Sequence, residues 1–186
     1  MKYLIVSDIH GACDSSQVIF DVFYKEKCDY ILCLGDILYH GPRNDLPNNY
    51  NPKKVIKTLN EISDKIIAIK GNCEAEVDEM VLNFKINNYL DMDINGFKCH
   101  LEHGHHLDDY VGKPDVILYG HTHIPDKSIK NGILYFNPGS ITIPKNNTKR
   151  SYAIWNDNLI SLIDINGEKI DEIDVVKKWF ITEIES

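Results

Sequence analysis

Apolar positions follow two regimes along the chain. In the first half, residues 3–6, 30–34 and 65–69 are short runs rich in β-branched side chains, each closed by a polar turn, and they read as buried strands. Between them, Val18, Phe20, Val22 and Phe23 (within 15–27) and Val55, Ile56, Leu59 and Ile62 (within 52–62) recur at helical spacing. Pro52 suits the first turn of a helix and Asn51 the cap before it. A βαβαβ alternation predicts parallel strands covered by helices.

The second half reads as hairpins. Asn95-Gly96 separates the runs 90–94 and 97–101, and Asn-Gly adopts a type I′ turn readily. Asn131-Gly132 separates 128–129 from 133–136, and Asn156-Asp157-Asn158 separates 151–155 from 159–165. Residues 116–119 form another apolar run. Parallel first and antiparallel later, the chain predicts an α/β sandwich of two facing sheets with helices outside. No linker or repeat divides it, and 186 residues suit one domain spanning 1–186. The tail from Glu168, with Trp179, Phe180, Ile181 and Ile184, reads as an added strand or helix on the core, or as a subunit contact in a homo-oligomer.

Composition narrows the chemistry. Twenty basic against 28 acidic side chains give a net charge of −8, a surface that repels a long polyanion, so no extended nucleic-acid groove is expected. A locally positive site could still admit a small phosphate ester. The apolar run at the N-terminus is too short for a signal-peptide core, and no run reaches the roughly 20 apolar residues of a membrane span. Cys13, Cys28, Cys33, Cys73 and Cys99 are an odd set without a CxxC pair, which fits free thiols in a cytoplasmic protein.

The informative residues stand at strand ends. Asp8-Ile9-His10 follows the first strand, Gly35-Asp36 the second and Gly71-Asn72 the third. His103-Gly104-His105 follows the hairpin, and Gly120-His121-Thr122-His123 the next strand. Each piece alone is common in turns. Five in succession, at the sheet edge where α/β proteins gather ligands, are not. The segments DIH, GDILYHGPRN, IAIKGNC, HGH and YGHTH resemble, in order, the motifs of the calcineurin-like metallophosphoesterases. GNCEAEVD and FNPGSITIPK resemble the YfcE-type branch of bacterial phosphodiesterases.

That resemblance implies two mixed β-sheets packed as a sandwich and flanked by helices, a four-layer α/β/β/α fold. It also implies a dinuclear site, with Asp8, His10, Asp36 and His123 on one metal, Asp36, Asn72, His103 and His121 on the other, and Asp36 bridging. Imidazoles mixed with oxygen donors suit Mn²⁺, Fe, Zn²⁺ or Ni²⁺ better than Mg²⁺ or Ca²⁺. Mn²⁺ is the ion the resemblance implies. Two such ions would share a water, lower its pKa and aim it in line at phosphorus, with a small phosphodiester as substrate.

Cys73 departs from the wider family, whose phosphomonoesterases carry histidine after the GN motif. A thiol donates poorly to an alkoxide, which points to diesters with good leaving groups or to an acid from elsewhere, His105 or His40. A small buried thiol filling space is the other reading of Cys73. Arg43 would clamp a phosphate oxygen or else order its loop through a carboxylate. Glu74 reads as orienting a histidine or as a solvated helix-start acid. His100 and His106 read as surface or structural, and Asn137-Pro138-Gly139 as a tight turn near the site. A phosphomonoesterase and a non-catalytic scaffold of the same fold stand as alternatives.

Overall fold

A computed structural model describes residues 1–107 and 110–177. The first sheet begins as the alternation predicts. β1 (Lys2–Val6), β2 (Tyr30–Cys33), β3 (Ile66–Ile69) and β4 (Ile86–Asn87) lie side by side and parallel. α1 (Cys13–Lys25) and α2 (Pro52–Asn60) form the first two crossovers. The Asn51 side chain caps α2 by accepting the Lys54 N–H at 3.1 Å. α1 starts earlier than its apolar spacing suggests, and it stops earlier because Lys27 takes a left-handed backbone (φ 52°) that ends the helix.

β10 (Ser151–Asn156) pairs antiparallel with the other side of β1, followed by β11 (Leu159–Asp164) and β12 (Lys169–Asp174). The seven strands run in the order β12-β11-β10-β1-β2-β3-β4. β12 is thus an added strand, while Trp179, Phe180, Ile181 and Ile184 lie outside the described residues.

The second sheet has the order β5-β6-β7-β9-β8, from β5 (Leu90–Ile94), β6 (Phe97–Leu101), β7 (Val116–Leu118), β8 (Asp126–Lys130) and β9 (Ile133–Asn137). Both Asn-Gly turns form, with positive φ at Asn95, Gly96, Asn131 and Gly132. This half is not purely antiparallel, however: β6, β7 and β9 are mutually parallel. β7 is buried along its whole length, as a central parallel strand should be.

Between the sheets lies one apolar core, in which Ile5, Leu32, Ile69 and Trp155 meet Phe97, Leu101, Leu118 and Phe136. A second core joins the outer face of the seven-stranded sheet to Ile19 and Phe23 of α1 and to Val55 and Leu59 of α2. On the far face of the five-stranded sheet, the Tyr110 ring stacks on His100 at 3.7 Å. No helix among the described residues is long and apolar enough to cross a membrane. The packing leaves the ends of β1, β2, β3, β6 and β7 to deliver their loops to one region.

Candidate metal centre

Asp8, His10, Asp36 and His123 are all buried, and one ligand atom from each lies within 4.8 Å of the others. Their loops reach this point in a costly backbone conformation. Among the described residues, the non-glycine positions with positive φ outside ordinary Asn, Asp and Lys turns are Asp8, His10, Asp36, His121 and His123. Each such residue costs on the order of 1–3 kcal/mol, and strain of this kind gathers at functional sites. Close approach also fixes two glycines: a Cβ at Gly71 would strike Asp36, and one at Gly120 would strike Ser7 and crowd Asp8.

The ring orientations are set from behind. His10 Nδ1 donates to the Tyr39 carbonyl (2.8 Å), His103 Nδ1 to Leu34 (2.6 Å) and His123 Nδ1 to Ile143 (2.7 Å). A carbonyl only accepts, so each Nδ1 carries a proton, and each ring in its neutral form turns the lone pair of its Nε2 inward. His10 Nε2 and His123 Nε2 then face each other at 3.2 Å. Asp8 Oδ1 stands 3.3 Å from His123 Nε2, 3.7 Å from His10 Nε2 and 4.0 Å from His103 Nε2. Asp36 Oδ1 accepts the Cys73 N–H (2.9 Å). Its Oδ2 sits between His10 Nε2 at 3.6 Å and His103 Nε2 at 3.4 Å.

So many inward lone pairs and carboxylate oxygens repel one another unless a cation lies among them. Asp8 Oδ1 and His103 Nε2 are buried atoms with no hydrogen-bond partner, which buried polar groups rarely are. Without a metal, protons answer the same demand for positive charge. Burial pulls the His103 imidazole down, but Asp36 and Asp8 outweigh it and raise the value to about 9. Burial likewise opposes ionisation of Asp8, yet His10 and His123 hold its carboxyl well below the usual range. Nitrogen and carboxylate donors converging on unneutralised space fit a divalent transition metal.

The profile of the calcineurin-like phosphoesterase superfamily domain matches residues 1–157. The chain belongs to this superfamily. The phosphodiesterase YfcE of Escherichia coli K12 is 38% identical over 175 residues, covering 91% of this chain and 95% of that one. A solved structure of the Escherichia coli Yfce phosphoesterase superposes with a TM-score of 0.90 at 36% identity, over 95% of this chain and 100% of that one. A phosphodiesterase of Methanocaldococcus jannaschii, MJ0936, is 26% identical over 75% of this chain and 83% of its own. Vps29 of Entamoeba histolytica shares the fold alone, with a TM-score of 0.63 at 20% identity over 94% of this chain and 99% of that one. The two mixed sheets are those of the calcineurin-like phosphoesterases.

Around this cluster, His121 donates its backbone N–H to Asp8 Oδ2 (3.2 Å), and its ring lies 5.1 Å from that of His103. Asn72 lines the same cavity, of about 260 Å³, as Asp36, His121 and His123, and its Nδ2 donates to Cys73 Sγ at 3.3 Å. Cys73 and Arg43 also line the cavity. Burial, then the Asp36 carboxylate, pushes the Cys73 thiol far up, so it is neutral. His105 is exposed and does not line the cavity, although its ring is 5.5 Å from His103. His40 packs between Tyr39 and Tyr50, also outside the lining. Arg43 forms no ion pair among the described residues, so none of their carboxylates orders its loop through it.

Glu74 holds backbone rather than a histidine. Its carboxylate accepts the N–H groups of Gly71, of Asp36 (3.0 Å) and of Ile37 (2.6 Å), clasping the β2 and β3 loops together. His100 is buried, between Asp91 Oδ1 (2.7 Å) and Glu102 Oε2 (3.3 Å).

The segment 137–143 does more than turn. Asn137 donates to the Gly120 carbonyl (2.8 Å) and to Thr122 Oγ1 (3.1 Å), Ser140 Oγ donates to Asp8 O (2.9 Å), and Thr142 Oγ1 donates to Ile9 O (2.8 Å). Small polar residues within the buried stretch NPGSIT were the available signal, since such groups must find partners.

Proposed function

We propose that the chain is a metal-dependent phosphodiesterase that hydrolyses small phosphodiesters with two divalent transition-metal ions, Mn²⁺ foremost. The convergence of Asp8, His10, Asp36 and His123 carries this reading, together with the unpartnered Asp8 Oδ1 and His103 Nε2 beside them. Asp8, His10, Asp36 and His123 would hold one ion. Asp36, Asn72, His103 and His121 would hold the other, and the place of Asp36 Oδ2 between His10 and His103 supports a bridging role. Divalent ions in such a site supply Lewis acidity toward phosphoryl oxygens and make water nucleophilic near neutral pH.

The chain's own residues supply position and charge. Arg43, on the cavity wall and without a carboxylate partner among the described residues, can take a non-bridging phosphate oxygen through two N–H groups. Carbonyls of Leu34, Tyr39 and Ile143 keep three imidazoles aimed without side-chain motion. In the net reaction water's oxygen bonds to phosphorus and one P–O ester bond breaks. One of the water's protons leaves with the alcohol, and the other stays with or dissociates from the monoester. The cavity offers Cys73 where a stronger acid would stand, and a thiol is a weak donor, which favours diesters whose alcohol departs easily.

The test strips the protein of metal and follows hydrolysis of an aryl phosphodiester and of its monoester, with and without Mn²⁺, beside Asp36→Asn. Metal-dependent diester turnover that collapses in the variant is expected. A monoester preference would overturn the diesterase reading and leave the metal centre standing. No turnover with any transition metal would point to a binding protein built on this fold.

A further inference from the structure

We propose that Lys145 selects phosphodiesters whose retained alcohol carries a second anionic group and no aromatic base. The proposal rests on the phosphodiesterase reading and concerns the same cavity. Lys145 and Arg43 both line that cavity, and Asp36 is its only acidic wall residue among the described residues. Neither cation makes an ion pair among the described residues, whereas Arg150, the other arginine, is engaged by Asp14, Ser15 and the Ile141 carbonyl.

The backbone of Lys145 is fixed on both sides. Its N–H donates to the carbonyl of His123 (3.2 Å), and its own carbonyl accepts the N–H (3.1 Å) and the Oγ1 hydroxyl (2.7 Å) of Thr148. Two residues earlier, the Ile143 carbonyl receives His123 Nδ1. The ammonium stem therefore starts from a turn locked to a ligand of the proposed metal site.

Charge and lining together define the substrate. Two divalent ions against Asp8 and Asp36 would already suffice to attract a diester monoanion. Arg43 and Lys145 then leave positive charge that a second anionic group on the substrate would meet. The protein as a whole carries −8, so its overall field disfavours a dianion, and any preference for one must come from this cavity. Among the described residues the lining includes no Phe, Tyr or Trp, the surfaces on which nucleobases stack. At about 260 Å³ the cavity suits a compact polar ester.

The experiment compares two para-nitrophenyl phosphodiesters of similar size with the Mn²⁺-loaded enzyme, one bearing a carboxyethyl and the other a propyl group. We expect kcat/KM to favour the carboxyethyl ester by about fivefold, the upper range for an exposed ion pair, and the ratio to shrink with added salt. The ratio should fall to near one in Lys145→Gln and persist in Lys145→Arg. It should also persist in Lys53→Gln, which removes the same charge from an exposed position on α2. Equal kcat/KM in the wild type, or a ratio that survives Lys145→Gln, overturns the proposal. If neither diester turns over, the phosphodiesterase reading fails, and calorimetry still decides the role of Lys145. Carboxyethylphosphonate should then bind more tightly than propylphosphonate, and the difference should vanish in Lys145→Gln; equal binding overturns it.

Discussion

Replacing Glu74 tests whether the centre is held by its backbone clasp. The carboxylate accepts three N–H groups, from Gly71, Asp36 and Ile37, and all three residues are buried. Burial and the neighbouring Asp36 carboxylate push the Glu74 carboxyl upward, against the pull of those donors. In Glu74→Ala the three donors lose their acceptor. A stranded buried donor costs about 1–3 kcal/mol, and water entering the vacated space recovers part, so the expected loss is about 3–5 kcal/mol. Glu74→Gln separates the hydrogen bonds from the side-chain volume. Its carbonyl can serve Asp36 and Gly71 from the Oε2 position, but its NH₂ then confronts the Ile37 N–H, so about 1–3 kcal/mol is lost.

Urea unfolding followed by circular dichroism reads the stability, and Mn²⁺ titration calorimetry reads the site. Because the clasp fixes Asp36 and the loop carrying Asn72, metal affinity should fall by about 10–100-fold in Glu74→Ala and by less in the Gln variant. An alanine variant within about 0.5 kcal/mol of wild type would mark Glu74 as an ordinary surface acid. A full loss of stability with unchanged Mn²⁺ affinity would show that the clasp supports the fold without positioning the ligands.

Two further perturbations address other parts of the structure. Burial lowers the His100 imidazole, but Glu102 and Asp91 outweigh it and leave the value raised. Its contribution is thus complete below the ordinary histidine value, about 6.5, and is lost as pH rises through the folded value. The urea midpoint of His100→Gln should therefore fall furthest below wild type near pH ~5.5 and approach it in alkaline buffer, and a pH-independent gap would refute the charged pairing. Asn137→Ala removes the links from Asn137 to Gly120 and Thr122 and strands the Gly139 N–H. It should cost about 2–3 kcal/mol in urea unfolding and weaken Mn²⁺ binding in calorimetry, and intact affinity would show that the His121–His123 loop holds its shape unaided.

What the sequence displays and what it hides divide along a physical line. Side-chain types are printed in it, so Asp, Asn and His at successive strand ends were legible, as were the Asn-Gly turns and the Asn51 cap. Burial periodicity is also printed, which is why β1, β2, β3, β10 and β11 could be read, but periodicity carries no strand direction. β6 and β9, rightly read in hairpins with β5 and β8, therefore give no sign that each also pairs in parallel with β7. Residue type alone likewise left His100 unplaced, because its burial depends on Asp91 and Glu102 arriving from the folded sheet.

Least legible are the backbone partners. Every residue has a carbonyl, so nothing distinguishes Leu34, Tyr39 or Ile143 as the acceptors that aim three imidazoles, and nothing about Glu74 announces three amides. These hidden contacts have a common effect. They hold residues with strained positive φ, Asp8, His10, Asp36, His121 and His123, in loops from opposite sheets. At on the order of 1–3 kcal/mol each, five such residues store a sum comparable to the stability of a small domain. The surrounding hydrogen bonds must offset that sum in the metal-free protein, and a bound cation would relieve the repulsion that remains. A centre built this way places its donors before the metal arrives, and that is why its failure should show first in metal affinity, before the fold itself gives way.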